Sequence, residues 1–155
     1  VTRGFAAIGL HLPKDKANVG GVIRAAMCYD VASVMLSGQR IDNRWIKSPA
    51  NTVAGHRHIP VLRGNLKELV PYGATPVAVD LVDDATSLPD FFHPESAFYI
   101  FGPEDGTLGK AILDWCPRKV MVPTRFCMNL AATVNVVLYD RLAKQLQRAR
   151  HLEAA

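Results

Sequence analysis

One α/β domain spanning residues 1–155, built on a mainly parallel sheet with helices on both faces, is the fold class this sequence predicts. Apolar runs of strand length alternate with helical patterns from one end of the 155 residues to the other, which is the signature of βαβ units. The run Ala97 to Phe101 is almost continuously apolar, as a central strand covered on both faces requires. Three strand-to-helix junctions carry Gly, Asn, Arg and Glu: Asn18 to Arg24, Phe101 to Gly106, and Val122 to Leu130. Ligands of open α/β sheets bind at the carboxyl ends of strands, so the three junctions read together as one pocket.

The elements follow in order. Phe5 to His11 reads as the first strand, broken by Pro13, Lys14 and Asp15. Asn18 is suited to cap the next helix, since its side-chain oxygen can accept a bond from an unpaired backbone N–H. Val19, Val22, Ile23, Ala26 and Met27 then keep helical spacing. Ser33 to Ser37 is the second strand, and the polar, basic stretch Gly38 to Arg57 follows, with a short helix after Asp42. Ile59 to Leu62 is a third strand, Asn65 to Val70 a small helix, and Thr75 to Leu81 a fourth strand. Val82 to Pro94 is rich in Asp, Ser and Pro and reads as a loop. Thr107 is placed to cap a helix running to Trp115, and Lys119 to Val122 is the last strand. Asn129 opens a long final helix whose Leu130, Val134, Val137, Leu138 and Leu142 share one face.

Composition narrows the function classes. The hydrophobic and charged fractions, 49% and 21%, are those of a globular chain. No apolar run has bilayer-spanning length and no secretory signal is visible, so a cytoplasmic protein with no membrane contact is expected; an initiator Met or short leader can precede Val1. The odd cysteine count (Cys28, Cys116, Cys127) has no C-x-x-C spacing, which argues against a disulfide framework and against zinc. Cys28 and Cys116 are expected to be buried thiols. His56, His58 and His93 lack a metal-ligand spacing, so no metal is expected. The net charge of +4 permits an anionic partner such as RNA without demanding one.

Each junction has a chemical and a plain reading. Gly20 and Gly21 mark a close approach to the helix backbone, because glycine in a helix costs about 1 kcal/mol against Ala. The approaching group is either an anion at the helix start, with Arg24 as a forked donor, or simply another packed segment. Gly102 strips the side chain from a strand end, and Glu104 is a carboxylate at the mouth of the sheet, although Gly-Pro-Glu-Asp-Gly is also a run of turn formers. Gly109-Lys110 misses the spacing of a nucleotide-phosphate loop. Cys127-Met-Asn129 offers a polarizable wall with an amide beside it, suited to an aromatic base or a thioether. Arg40, Arg44, Lys47, Arg57, Arg63 and Lys67 form either a solvated face or a phosphate-contacting track. Lys144, Arg148 and Arg150 read as a solvated helix end.

Taken together, the three segments resemble the SPOUT superfamily of knotted methyltransferases, specifically the TrmH/TrmL-type RNA ribose 2′-O-methyltransferases. Asn18, Gly20 and Arg24 fill that family's N-x-G-x-x-x-R motif. Phe101, Gly102 and Glu104 fill F-G-x-E, and Cys127-Met-Asn129 with Leu138-Tyr-Asp140 occupies the third motif. The order holds from about Phe5 to about Lys144, and the stretch looks most like the minimal TrmL branch. Cys127 stands where that family usually has Ser, and Ala131 where a small polar residue is frequent.

The resemblance implies a C-terminal deep trefoil knot, a homodimer, and S-adenosylmethionine held by Val79, Asp80, Gly102, Val122, Cys127 and Met128. It implies methyl transfer to an RNA ribose 2′-hydroxyl, with tRNA as the expected substrate. Arg24 would handle that hydroxyl, alone or with an RNA phosphate, while Asn18, Glu104 and Asn129 shape and polarise the site. The competing expectation from another class is a non-catalytic RNA-binding dimer of the same fold. A small-molecule methyltransferase is disfavoured by Arg24, and a dinucleotide binder by the absence of G-x-G-x-x-G after the first strand.

Overall fold

The computed structural model describes residues 3–51 and 54–155. Seven strands lie in one sheet in the order β3-β2-β1-β6-β4-β7-β5, and every neighbouring pair is parallel. They are β1 (Ala6–Leu10), β2 (Val34–Leu36), β3 (Val61–Arg63), β4 (Thr75–Val79), β5 (Thr86–Ser87), β6 (Ala97–Phe101) and β7 (Arg118–Met121). The helices are α1 (Lys16–Cys28), α2 (Leu66–Leu69), α3 (Lys110–Trp115) and α4 (Leu130–Glu153).

Successive residues of a strand face opposite sides, and β1 and β6 are buried at every position for that reason. Ile8, Leu10, Val77, Val79, Tyr99 and Phe101 pack on one side with α1 and α4. Ala7, Ala78, Phe98 and Ile100 pack on the other with Leu66 of α2 and Ile112 of α3. Helices thus cover both faces, as the alternating sequence pattern requires. Gly9 belongs to this scheme, since a Cβ there would stand 2.8 Å from the Phe98 ring.

The glycine pair of α1 serves protein packing. A Cβ on Gly21 would lie 2.9 Å from that of Ala131 in α4, and one on Gly20 would lie 3.0 Å from the Asn51 backbone nitrogen. The two glycines therefore face different neighbours, while Arg24 is exposed. The segment that meets Gly20 is the basic stretch after β2. It folds onto α1 as three 3-10 turns, Asn43–Lys47, Pro49–Asn51 and Gly55–Arg57. Asn51 organises it from within: its Nδ2 donates to the Ile46 carbonyl at 2.9 Å, and its Oδ1 accepts the Gly55 N–H at 3.1 Å.

Several local expectations are corrected. Asp15, not Asn18, caps α1, by accepting the Ala17 N–H at 2.7 Å. Gly109 rather than Thr107 precedes α3, and no side chain caps that helix. The 82–94 stretch contains the short strand β5, which exists through its pairing with β7. Cys28 is exposed, whereas Cys116 is buried and its thiol pKa is pushed up to about 11 by desolvation. On α4 the inward position is Arg141, 6% exposed, in place of Leu142, 37% exposed. Its guanidinium donates to the carbonyls of Pro94 (2.7 Å), Glu95 (2.6 Å) and Phe5 (3.3 Å) and to the Tyr99 hydroxyl (3.2 Å), as a buried charge must. Lys144 is likewise committed, donating to the carbonyls of Leu88 and Phe91 at 2.6 and 3.0 Å.

Beside Arg141, His93 lies between the Tyr99 hydroxyl (2.6 Å) and the Asp140 carboxylate (2.7 Å), with its side chain 5% exposed. Burial lowers its pKa, against the opposing pull of Asp140; Lys144 and Arg141 lower it further. The unfolded chain then takes up a proton near pH 6.5 that the folded one resists. Stability should be full above about pH 6.5 and decline as pH falls below it. Urea unfolding at pH 8 and pH 5 checks this: His93→Gln should lower stability at pH 8 yet show a shallower loss between the two values.

Candidate active site

Because the strands are parallel, their carboxyl ends share one edge, and β1, β6, β4 and β7 end side by side there. The segments leaving β4, β6 and β7 enclose a cavity of about 690 Å³, open mouth included. Val79, Asp80, Gly102, Glu104, Val122, Cys127 and Met128 all line it, together with Leu81, Phe101, Met121, Thr124, Leu130 and others. The walls are mostly aliphatic and thioether groups, with carboxylates at the rim.

Asp80 braces the cavity. Its Oδ1 accepts the Leu81 N–H at 2.8 Å and its Oδ2 the Leu108 N–H at 3.0 Å, tying the end of β4 to the loop after β6. Gly102 permits that closeness, since a Cβ there would sit 3.3 Å from the Leu108 nitrogen.

Asn18, Glu104 and Asn129 are brought together by a relay of hydrogen bonds. Asn129 caps α4 through its Oδ1, which accepts the Ala132 N–H at 3.2 Å. Its Nδ2 donates to Asn18 Oδ1 at 2.7 Å, and Asn18 Nδ2 donates to Glu104 Oε1 at 3.0 Å. Glu104 also accepts the backbone N–H groups of Lys14 (3.1 Å) and Asp15 (3.4 Å). The Asn18 side chain is thus turned toward the site rather than spent on its own helix end. The β1–α1 connection that supplies these donors leaves the sheet through Leu12 in left-handed backbone (φ 50°), whose N–H is accepted by Ser37 Oγ at 3.1 Å.

Arg24 does not line the cavity. It lies on α1 six residues beyond Asn18, about 9 Å along the helix axis at 1.5 Å per residue, with its side chain exposed.

Asp105 is a site residue that sequence reasoning passed over. Arg40 grips it with two parallel bonds, Nη1 to Oδ1 at 3.0 Å and Nη2 to Oδ2 at 2.7 Å, and Lys14 approaches to 3.4 Å. These cations hold the Asp105 carboxyl well below the usual carboxylate range, with the Arg40 hydrogen bonds as the largest cause. The clasp joins the loop carrying Glu104 to the basic stretch. Its only sequence signal was adjacency to Glu104.

The rest of the proposed phosphate track is partly spoken for. Arg63 donates to the carbonyls of Gly38 and Ile41 at 2.6 and 3.1 Å, and Arg44 pairs with Asp42 at 2.7 Å. Among the described residues, no group of three or more His, Cys, Asp or Glu is arranged to hold a metal, and no helix is long and apolar enough to cross a membrane.

Comparison with known proteins bears on this geometry. Residues 6–139 match the sequence model of the SpoU rRNA Methylase family. No curated protein matches the chain. Among solved structures, the SpoU methyltransferase AviRb from Streptomyces viridochromogenes in complex with AdoMet superposes with a TM-score of 0.80 at 19% identity, over 94% of this chain and 60% of that one. The AdoMet-bound rRNA methyltransferase from Sinorhizobium meliloti gives 0.78 at 19% identity, over 89% and 56%. A structure solved for the 2-OH methylation of C/U34 on tRNA gives 0.74 at 23% identity, over 93% and 97%. The chain thus spans about six-tenths of the length of AviRb and of the S. meliloti enzyme, and nearly all of the third. At these identities the likeness is one of fold.

Removing the Glu104 carboxylate should loosen the β1–α1 connection from the cavity rim. Hydrogen bonds to a charged group contribute about 1.5–3 kcal/mol when buried, and these are partly solvated. Glu104→Ala should therefore cost about 1 kcal/mol in urea unfolding. It should also raise amide exchange at Lys14 and Asp15 by NMR, while Glu104→Gln should preserve more of both.

Proposed function

The chain belongs to the SpoU rRNA Methylase family, and from that premise we propose that it is an S-adenosylmethionine-dependent RNA ribose 2′-O-methyltransferase acting on tRNA. The observation that carries this reading is the convergence of three distant segments. The turns after β4, β6 and β7 wall one cavity, and Asn18 and Asn129 reach Glu104 at its rim through bonds of 2.7 and 3.0 Å.

The cavity suits the methyl donor. Val79, Val122, Met128 and Leu130 give apolar walls for a flat purine, the soft sulfur of Met128 adding polarizable contact. Gly102 keeps the floor free of a side chain. When bound, S-adenosylmethionine supplies a methyl group already activated on a sulfonium, so the chain's own task is to position a sugar hydroxyl and manage its proton. Asp80 keeps the wall in shape through its two backbone bonds. Cys127, at the position where the family usually carries Ser, lines the same wall with a weaker donor.

Arg24 is the group assigned to the 2′-hydroxyl, by orienting an RNA phosphate beside it or by acting with that phosphate to draw off the proton. Its place outside the cavity wall of its own chain fits a site completed by RNA and by a second subunit. A homodimer is supported by α4, whose outward Val136, Tyr139, Leu142 and Leu146 recur at helical spacing and are 37%, 61%, 37% and 49% exposed. A threaded C-terminal knot belongs to the same reading. The structure solved for 2-OH methylation of C/U34 on tRNA supports tRNA as the substrate.

Purified protein given labelled S-adenosylmethionine and a panel of RNAs should move the label to tRNA, recovered as a 2′-O-methyl nucleoside. Failure to label any RNA, by folded protein that binds the cofactor, would sink the proposal. Arg24→Ala should lower turnover by about a hundred-fold or more and leave cofactor affinity measured by calorimetry near the wild-type value.

A further inference from the structure

The loop after β7 presents two kinds of surface. Val122, Thr124, Cys127 and Met128 line the cavity. Between them Phe126 turns its ring to solvent, 77% exposed, with the Arg125 guanidinium 5.5 Å from the ring centroid. The loop holds this posture by its own bonds. The Thr124 hydroxyl donates to the Phe126 carbonyl at 2.8 Å, and the Thr124 N–H donates to the Val122 carbonyl at 2.8 Å. The other large exposed aromatic rings among the described residues are Tyr72, Phe92 and Tyr139. They lie between α2 and β4, between β5 and β6, and on α4. Phe126 alone of these is flanked on both sides by cavity-lining residues.

An exposed benzyl ring at a cavity rim is unfavourable in water, and a planar cation, Arg125, lies beside it. A guanidinium beside an aromatic face matches a nucleotide, which offers a flat base and an anionic phosphate together. A ribose brought to the mouth of this cavity arrives with its base attached. Bases splayed out of RNA are commonly held by stacking on aromatic rings and arginine planes.

We infer that Phe126 and Arg125 form a stacking platform for an unpaired RNA base at the rim of the methyl-donor cavity. The inference rests on the proposed RNA methyltransferase activity and adds the contact that selects an unstacked nucleotide. Phe126 stacks the base and Arg125 meets the adjoining phosphate, while Val122 and Met128 remain turned to the cofactor side of the same loop.

The test uses the full chain and two fluorescein-labelled probes. One is an unstructured 12-mer RNA, the other the same 12-mer with abasic riboses, which keeps every phosphate. Phe126→Ala should weaken binding of the first by roughly ten-fold, in line with base–aromatic stacking. It should leave the abasic probe and S-adenosylmethionine binding unchanged, and Phe126→Trp should restore binding of the first. Undiminished binding of the base-bearing RNA by Phe126→Ala overturns the platform. A dimer-to-monomer shift of that variant in sedimentation also overturns it, because a second copy would then cover the ring. If the wild-type protein transfers label to tRNA but does not bind the base-bearing 12-mer more tightly than the abasic one, the platform falls alone; if it labels no RNA at all, the RNA reading falls and the platform with it.

Discussion

The Glu104 carboxylate is the point on which the carboxyl edge of the sheet depends. It gathers N–H donors from Lys14, Asp15 and Asn18, so the β1–α1 connection is fastened to the turn after β6. Through Asn18 it reaches Asn129 and the start of α4. A carboxylate drawn partly out of water must replace its lost hydration with donors, and the segments able to donate are thereby held at one rim. Asp105, its neighbour in the chain, does the same outward, binding Arg40 of the basic stretch. Two adjacent acids thus connect the cavity, the opening of α1, the opening of α4 and the polar segment after β2.

The helices beneath this rim are placed by shape. Gly20 admits the Asn51 backbone, Gly21 admits Ala131, and Gly55 faces Ile23 and Met27 so closely that a Cβ there would stand 2.4 Å from Ile23. Interiors pack at crystal-like density, so these bare positions determine how near α4 and the 3-10 turns come to α1. The same helix carries Asn18 on the side of the site and Arg24 farther along. Packing therefore sets the distance between the residue that shapes the pocket and the residue assigned to the substrate.

The strand pattern and the motif positions were legible in the sequence wherever local chemistry decides. Ala97–Phe101 is a strand because both faces are covered, and that demand shows in every residue. Asn129 caps α4 because nothing else near it competes. At the start of α1, Asp15 and Asn18 are both good caps, and the choice lies with distant partners: the Asn18 oxygen accepts from Asn129, 111 residues away, while its amide nitrogen donates to Glu104. The strand β5 has two residues and exists through its pairing with β7. Leu142 looked like the inward residue by hydropathy, but Arg141 is turned in by carbonyls of Phe5, Pro94 and Glu95 and by the Tyr99 hydroxyl. Where partners are distant in sequence, the pattern of a single stretch carries no trace of them.

Arg141 has a consequence for how the C-terminal helix behaves in solution. Guanidinium cannot shed its proton to escape a dry environment. A fractional detachment of α4 would strip its acceptors before water could replace them. Excursions in which the helix peels back gradually are therefore suppressed, and it opens as one cooperative unit or stays seated. The end of the chain, often the first part of a domain to fray, is here latched from its middle, so only the turns beyond the latch are left to breathe.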